Sequence, residues 1–229
     1  MTYLNTTGVV LREVAYKDSA KILTVLTSTE GKLTVSAYGS GRKNSKLAVS
    51  TGLLVFSHMT LTRRGERWTL KEAEPIEQFL GLREELKLLS LASYIAELTE
   101  AISDEDSLNT QLLPLMLNSI YALSEKVRPA NFVKPVFELR LMAISGFEPI
   151  LEKPKAEGGF ETKEGILTLD GKALEAAKYI LTCNPKKLFS FKLSDNSINE
   201  LASATENYLL THLDRTFKTL DYYKKVLDF

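Results

Sequence analysis

The hydrophobic pattern of the chain changes near residue 80, and this change limits the fold more than any other feature of the sequence. Before that point, apolar and polar residues alternate with the two-residue period of a half-buried strand, as in "KLTVSAY" (32–38). From Gly81 onward, apolar residues recur every three or four positions, which is typical of amphipathic helices. The sequence therefore predicts an α+β protein with a β domain over residues 1–80 and an α-helical domain over residues 81–229.

The first 80 residues contain enough strand-forming runs for a small barrel. Five runs rich in β-branched and apolar residues are separated by one long loop and by two glycine-containing tight turns, "TEGK" (29–32) and "RRGE" (63–66). A sheet of five short strands exposes two unpaired edges unless it closes on itself. We therefore expect a closed five-stranded barrel.

The remaining residues predict a helical bundle with one irregular interruption. The apolar stretch 131–147 is expected to form the buried centre of this bundle. Over about 147–169, prolines and glycines break the helical pattern and indicate a small hairpin insertion. Asp170 is the expected N-cap of the next helix, and Ser197 with Glu200 matches the S-x-x-E capping box for the helix after it.

The net charge of zero conceals a separation of charge along the chain. Residues 1–80 hold eleven Lys and Arg against seven Asp and Glu, whereas residues 81–229 hold 18 against 22. Within 31–71 there are eight cations and one acid, and within 81–106 there are two cations and seven acids. The β domain is therefore the expected place for a polyanion to bind. The sequence leaves open whether the acidic 81–106 segment masks that basic surface.

Neither a membrane span nor an export signal is indicated. No apolar run reaches the roughly 18 to 20 residues needed to cross a bilayer, and the first residues lack the basic-then-apolar order of a signal peptide. Cys183 is the single cysteine, which excludes an intramolecular disulfide and fits a reducing compartment. We expect a soluble cytoplasmic protein.

The long loop "SAYGSGRKNSKLAVS" (36–50) combines two glycines with three cations, a composition that suggests phosphate binding. Gly39 and Gly41 do not have the spacing of a mononucleotide phosphate loop. A dinucleotide fingerprint needs a third glycine where Asn44 stands, followed by a helix. Because "LAVSTGLLVF" (47–56) is instead expected to form a strand, the sequence argues against both nucleotide-cofactor motifs.

The interpretation that remains is a polynucleotide backbone. Each lysine or arginine that neutralises a phosphate releases a counterion, which gives salt-sensitive affinity without sequence readout. Aromatic residues among such cations can stack unpaired bases. The alternatives, that the loop is merely solvated and that the tryptophan belongs to the barrel core, stay open at this point. The candidate DNA-binding residues are Lys32, Tyr38, Arg42, Lys43, Lys46, Arg63, Arg64, Arg67, Trp68 and Lys71.

Enzyme chemistry has little support in the sequence. His58 and His212 have no second histidine or cysteine at metal-ligand spacing, and Cys183 is best explained as a core thiol. A phosphohydrolase would need clustered acids on strands, but the one dense acidic cluster, "SDEDS" (103–107), is better explained as a solvated turn at a helix end. We predict no catalytic activity, no metal and no cofactor.

Several short motifs, in a consistent order along nearly the whole chain, carry a family resemblance. The chain resembles the bacterial RecO family, the recombination mediators of the RecF pathway of DNA repair. The motifs are TGVVL followed by Tyr16 and Asp18, ILTVLT with EGKL, the Gly-x-Gly-Arg-Lys loop ending at Lys46, TLKEAE, SLASYIAELTE, PVFELRLMAISGFEPIL and YLLTHLDRTFKTL.

The resemblance implies an N-terminal OB-fold and a helical bundle. It also implies binding of single- and double-stranded DNA, annealing of complementary strands, association with the nucleoid, and assistance in loading RecA. The implied partners are RecR and the acidic C-terminal tail of the single-stranded-DNA-binding protein. Lys134 and Lys218 fall in segments where relatives receive that tail, although a structural salt bridge explains either lysine equally well. An adaptor whose barrel binds mainly a protein is the alternative function.

The chain departs from the family pattern in the insertion. Many relatives carry two C-x-x-C pairs there, whereas residues 151–169 contain no cysteine or histidine. Lys, Pro and Glu cannot replace four thiolates in a tetrahedral zinc site. We therefore expect a hairpin supported by Gly158, Gly159 and Gly165, but without zinc.

Overall fold

The computed structural model describes residues 2–16, 19–42, 45–105, 107–152, 158–162 and 165–228. It confirms the predicted α+β architecture: a closed five-stranded barrel is followed by a helical region. Lys43 and residues 153–157 and 163–164 of the insertion lie outside the described residues.

The barrel has the strand order β1-β2-β3-β5-β4. The first half of β1 pairs with β4 and its second half pairs with β2, so β1 belongs to both sides of the barrel. Closure is completed by a short parallel pairing of β3 with β5, where Val35 lies opposite Trp68 and Ser36 opposite Thr69. The strands are β1 (Thr2–Tyr16), β2 (Ala20–Thr27), β3 (Gly31–Tyr38), β4 (Phe56–Arg64) and β5 (Arg67–Glu77).

Glycines form the two predicted tight turns. Gly31 and Gly65 have φ angles of +69° and +62°, a left-handed conformation that residues with a Cβ atom seldom adopt. Gly31 has a second reason to lack a side chain, because a Cβ atom there would lie 2.1 Å from the carbonyl oxygen of Ser107. The turn between β2 and β3 therefore lies against the helical region.

The barrel core follows the strand alternation. On β3, for example, residues 33, 35 and 37 point inward and are buried, whereas Thr34 and Tyr38 are exposed. Trp68 and Leu70 supply the inward face of β5. The buried core residues are Val10, Leu23, Val25, Leu33, Val35, Ala37, Met59, Leu61, Trp68 and Leu70.

One element differs from the sequence-based expectation. Residues 47–56 were expected to form a strand, but their first part forms the one-turn helix α1 (Leu47–Ser50), and β4 begins only at Phe56. The backbone N–H and the hydroxyl of Thr51 both donate to the Leu47 carbonyl, which favours a turn over extended backbone. Leu47 packs against the barrel core. With a helix at this place, only the glycine spacing speaks against nucleotide-cofactor motifs.

The helical region is built around its third long helix, as predicted. Helix α4 has eleven buried residues among its fifteen and packs against α3, α5 and α6. The chain enters this region through a 3-10 turn at Leu80–Arg83. The helices are α2 (Leu86–Ile102), α3 (Leu112–Ser124), α4 (Ala130–Ile144), α5 (Gly171–Thr182), α6 (Asp195–Leu213) and α7 (Lys218–Leu227).

The helix caps agree with the prediction at α5 but not at α6. The Asp170 side chain accepts a hydrogen bond from the backbone of Ala173, so Asp170 caps α5. Helix α6 begins three residues earlier than expected, with Ser194 as its N-cap. Ser197 instead donates to Asp170 (2.9 Å), and Glu200 accepts from the Asp170 backbone N–H (2.8 Å). The capping-box residues therefore join α6 to α5.

The predicted hairpin is present in the insertion. Strands β6 (Leu151–Glu152), β7 (Gly158–Thr162) and β8 (Gly165–Leu169) form a three-stranded sheet. Phe160 is fully buried and meets the Tyr208 ring of α6 edge-on, with 5.8 Å between ring centroids. An apolar side chain thus attaches this sheet to the bundle. Among the described residues, no group of three His, Cys, Asp or Glu side chains is arranged to hold a metal ion.

A search for membrane-spanning segments among the described residues finds no helix with the necessary length and apolar character.

Candidate nucleic-acid interface

The long loop after β3 carries two of the predicted cations at one end of the barrel. Gly39, with φ at +76°, turns the chain out of the strand, and the Gly41 N–H donates to the Ser19 carbonyl (3.2 Å). Arg42 follows this contact and is exposed. Lys46 is exposed directly before α1, whose Ser50 hydroxyl donates to the Ala73 carbonyl of β5 (3.1 Å). The loop therefore spans from the β1–β2 turn to β5.

A second group of cations lies where β4 turns into β5. Arg64 and Arg67 are opposite one another in the strand register, and both are exposed. Trp68 points into the core, so Arg67 and Lys71 point to the outer face of β5. Lys71 is exposed and lies two residues before Ala73, the contact point of α1. The outer side of β5 thus has cations at its start and near the loop.

Five of these cations have no carboxylate within 4.0 Å in the part of the chain that the structure describes. In contrast, Arg12 pairs with Glu100 (2.9 Å) and Lys21 pairs with Glu13 (2.5 Å). Exposed cations without partners repel one another, and a bound anion stabilises them more than it stabilises cations that already have a carboxylate partner. The five are Arg42, Lys46, Arg64, Arg67 and Lys71.

Arg63 and Trp68 occupy structural positions. The Arg63 guanidinium lies 5.4 Å from the centre of the Trp68 ring, and its Nε donates to the Gly65 carbonyl (3.1 Å). Trp68 is 7% exposed and belongs to the barrel core. Its ring offers no open face to a base, so we leave Trp68 out of the interface and assign Arg63 to the closure of the barrel end.

Two exposed tyrosines lie beside the unpaired cations. Tyr38 ends β3 and is 60% exposed. Tyr3 on β1 is 66% exposed and pairs with Thr62 of β4. Tyr3 is not among the binding residues predicted from the sequence. The alternation in "TYLNTT" places it on the face opposite Leu4, which was the available signal.

Lys32 is not free to bind DNA in this structure. Its Nζ donates to the backbone carbonyls of Glu100 (3.0 Å) and Ser103, at the C-terminal end of α2. The last carbonyls of a helix lack intrahelical partners and carry a partial negative charge, so an ammonium group stabilises them. Lys32 therefore caps α2 and joins the barrel to the helical region.

The segment at this helix end, residues 100–105, is called the clasp below. Residues 103–107 were expected to form a solvated turn, but Glu105 makes a parallel β-bridge with Lys32 and accepts a hydrogen bond from Thr34 (3.1 Å). Glu100 pairs with Arg12 and accepts a hydrogen bond from Thr24. The clasp thus covers part of the outer face of β2 and β3.

The two lysines considered as partner contacts differ in their surroundings. Lys134 is 6% exposed and lies 2.8 Å from both Glu138 and Glu206. Burial lowers the pKa of Lys134, but the two carboxylates outweigh burial and raise it. The Tyr94 hydroxyl donates to Glu138 (2.8 Å), so the network is satisfied within the bundle. Lys134 is therefore structural, whereas Lys218 is exposed at the start of α7.

Comparison with known proteins assigns both parts of the chain. A profile of the recombination protein O N-terminal region matches residues 1–79, and one of its C-terminal region matches residues 83–221. The chain is 29% identical to DNA repair protein RecO of Acetivibrio thermocellus, over 98% of the chain and 97% of the relative. It is 27% identical to DNA repair protein RecO of Alkaliphilus metalliredigens, with coverage of 97% and 99%. In Bacillus subtilis the protein of that name is 30% identical over 63% of the chain and 56% of the relative. The chain belongs to the RecO family.

Proposed function

We propose that the protein is a non-catalytic DNA-binding protein of recombinational repair, which binds single- and double-stranded DNA and anneals complementary strands. The observation that carries the proposal is the set of five exposed, unpaired cations on the barrel. Relatives that align over nearly the whole chain are named DNA repair proteins, which supports the same conclusion.

Annealing follows from charge neutralisation. Two DNA strands repel one another, and a surface that neutralises phosphates of both strands lowers the free energy needed to bring them together. Five phosphate contacts correspond to a slope of about −3.5 in a plot of log affinity against log salt for a single strand. Tyr3 and Tyr38 can each stack an unpaired base, which contributes about 1–3 kcal/mol per base.

Cys183 packs against the bundle core, and His212 contacts Tyr208. Burial raises the pKa of the Cys183 thiol, which disfavours the nucleophilic thiolate, although Arg140 acts in the opposite direction. The His212 ring packs on Tyr208, with 3.9 Å between ring centroids, and its Nδ1 lies 2.9 Å from the Tyr208 carbonyl. These contacts support a binding function over an enzymatic one.

The partners in the proposal come from the family resemblance. We include RecR, the acidic C-terminal tail of the single-stranded-DNA-binding protein, and indirect assistance to RecA loading. Lys218 is retained as a contact for the acidic tail because it is exposed. Lys134 is removed from that role because Glu138 and Glu206 already bind its ammonium group.

Pairing of complementary oligonucleotides tests the proposed function. One strand carries a fluorophore and the other a quencher, and pairing is followed at moderate salt with and without the protein. The proposal predicts faster pairing with the parent protein than with buffer, and a smaller acceleration with the Arg64→Ala/Arg67→Ala/Lys71→Ala variant. If the parent gives no acceleration while still binding a protein partner, the adaptor function explains the barrel better.

A further inference from the structure

The usual binding face of an OB-fold is only partly open in this protein. Oligonucleotides commonly bind on the outer face of strands 2 and 3 of such barrels. Here the outward residues of β2 and β3 form successive cross-strand pairs. Two of these pairs, Thr24 with Thr34 and Leu26 with Lys32, contact the clasp or the bundle. Leu26 is buried in the core shared with the bundle, Lys32 binds the clasp carbonyls, and Thr24 and Thr34 bind clasp carboxylates.

The charge of the clasp opposes a nucleic-acid strand at this place. Glu100 and Glu105 direct carboxylates onto β2 and β3, and Asp104 between them is exposed. The cations that would otherwise attract phosphates there, Lys32 and Arg12, are bound by the same segment. A phosphate backbone on the part of β2 and β3 that contacts the clasp would therefore meet carboxylates before it met an available cation.

A different face of the barrel carries the available cations. The strand register aligns four outward residues in one row across the barrel, with one residue from each of β3, β5, β4 and β1. Arg64 and Arg67 lie on the side of this row towards the β4–β5 turn, and Lys71 and Tyr38 lie on its other side. The row consists of Ser36 and Thr69, which are partly exposed, Thr62, which is 3% exposed, and Tyr3, which is 66% exposed.

We propose that a single strand of DNA lies across the outer face of β5, between the Arg64–Arg67 pair and Lys71, and not on β2–β3. This path rests on the proposed DNA-binding function. Tyr3 at one edge and Tyr38 at the other stack bases, while the cations bind phosphates on both sides of the hydroxyl row. Lys46 extends the cationic side, because α1 packs on the end of β5.

The dimensions of this face fit a short strand. The row crosses three gaps between neighbouring strands, which corresponds to about 14 Å, and the cations on β5 extend about 13 Å along the strand, from Arg67 to Lys71. A binding site of about four nucleotides, at the lower end for OB-folds, fits within that area. Two acids limit the area that a DNA backbone can occupy: Glu66 at the turn and Glu72 beside Lys71. The path therefore follows the row between these two acids.

Site-directed crosslinking distinguishes the two paths. In a Cys183→Ser background, Thr69→Cys places a thiol on the proposed path, and Val14→Cys places one on β1 beside β2. Val14 is 48% exposed and Thr69 is less exposed, so accessibility alone favours the control position. A single-stranded oligonucleotide with a thiol-reactive group on its backbone is added, and both variants are calibrated with a small maleimide.

The expected result is several-fold more crosslinking at Thr69→Cys than at Val14→Cys. Equal or greater crosslinking at Val14→Cys overturns the path while leaving DNA binding intact. If the parent protein does not retain the oligonucleotide at all, the proposed function fails, and the path fails with it.

Substitution of the newly identified tyrosine gives a second measurement. Tyr3→Ala is expected to weaken single-strand affinity by about fivefold or more, as loss of one stacked base does. Tyr121→Ala removes a tyrosine of similar exposure from α3 and serves as the matched control, with unchanged affinity expected. Equal affinities of both variants and the parent overturn the role of Tyr3 in the path.

Discussion

The buried ion network in the bundle predicts a large loss of stability when Lys134 is replaced by methionine. Lys134→Met keeps most of the side-chain volume but leaves the Glu138 carboxylate, which is fully buried, without a cation. Glu138 then has only the hydroxyl donors Tyr94 and Thr205, whereas Glu206 still pairs with Lys224. Removal of one partner from a buried pair costs about 3–5 kcal/mol, and we expect a loss in that range.

The assay is urea unfolding followed by circular dichroism at 222 nm, which reports the helices. Lys134→Met/Glu138→Gln removes both charges while keeping an acceptor for Tyr94, so we expect it to recover at least half of the loss. Lys218→Met, at an exposed position, should stay within about 0.5 kcal/mol of the parent. A Lys134→Met variant as stable as Lys218→Met would refute the reasoning and return Lys134 to the candidate partner contacts.

Phe160→Ala should destabilise the attachment of the β6–β8 sheet to α6 by about 3–5 kcal/mol, measurable as faster proteolysis within the insertion than in the parent. Chelator-washed protein should contain far less than one equivalent of zinc by elemental analysis; about one equivalent would contradict the expected absence of a metal site. Burial raises the pKa of Glu206, but Lys134 and then Lys224 lower it on balance. As the pH falls, Glu206 is therefore protonated in the unfolded state before it is protonated in the folded state. The stabilisation that its ion pairs provide is present above the ordinary pKa of 4.5 and is lost as the pH falls through the lowered folded-state pKa. Acid unfolding curves should show a smaller loss in Lys134→Met than in the parent.

Local patterns were sufficient to predict most of the barrel. Alternation in β3 and glycines at positions 31 and 65 determine strands and turns through contacts between near neighbours in the chain. The exposure of Arg64 and Arg67 also follows locally, because they are the strand residues that flank the two-residue turn Gly65–Glu66 at the end of the barrel. The cap of α6 was misplaced by three residues, since Ser194 and Ser197 are both acceptable N-cap residues and only the contact of Ser197 with Asp170 separates them.

Long-range contacts were the part that could not be predicted. Lys32 lies 71 residues from Ser103 in the chain, and no periodicity connects the two segments. For this reason the sequence predicted a solvated turn where the clasp lies, and it predicted Lys32 to be available for DNA. Lys134 presented the same difficulty, because Glu206 is 72 residues away. The separation of charge along the chain could not show which cations have partners in the folded protein.

The salt dependence of single-strand affinity tests the central claim, that unpaired cations on the barrel bind the DNA backbone, most directly. Two variants are compared with the parent: Arg42→Ala/Lys43→Ala/Lys46→Ala in the loop and Arg64→Ala/Arg67→Ala/Lys71→Ala on β4 and β5. Lys126→Ala, which removes a cation paired with Glu84 and Glu85, is the control. Each lost phosphate contact reduces the magnitude of the slope by about 0.7. Each triple variant should therefore bind more weakly, with a slope that is shallower by about 2. Parent-like affinity and slope in both triple variants would contradict the account.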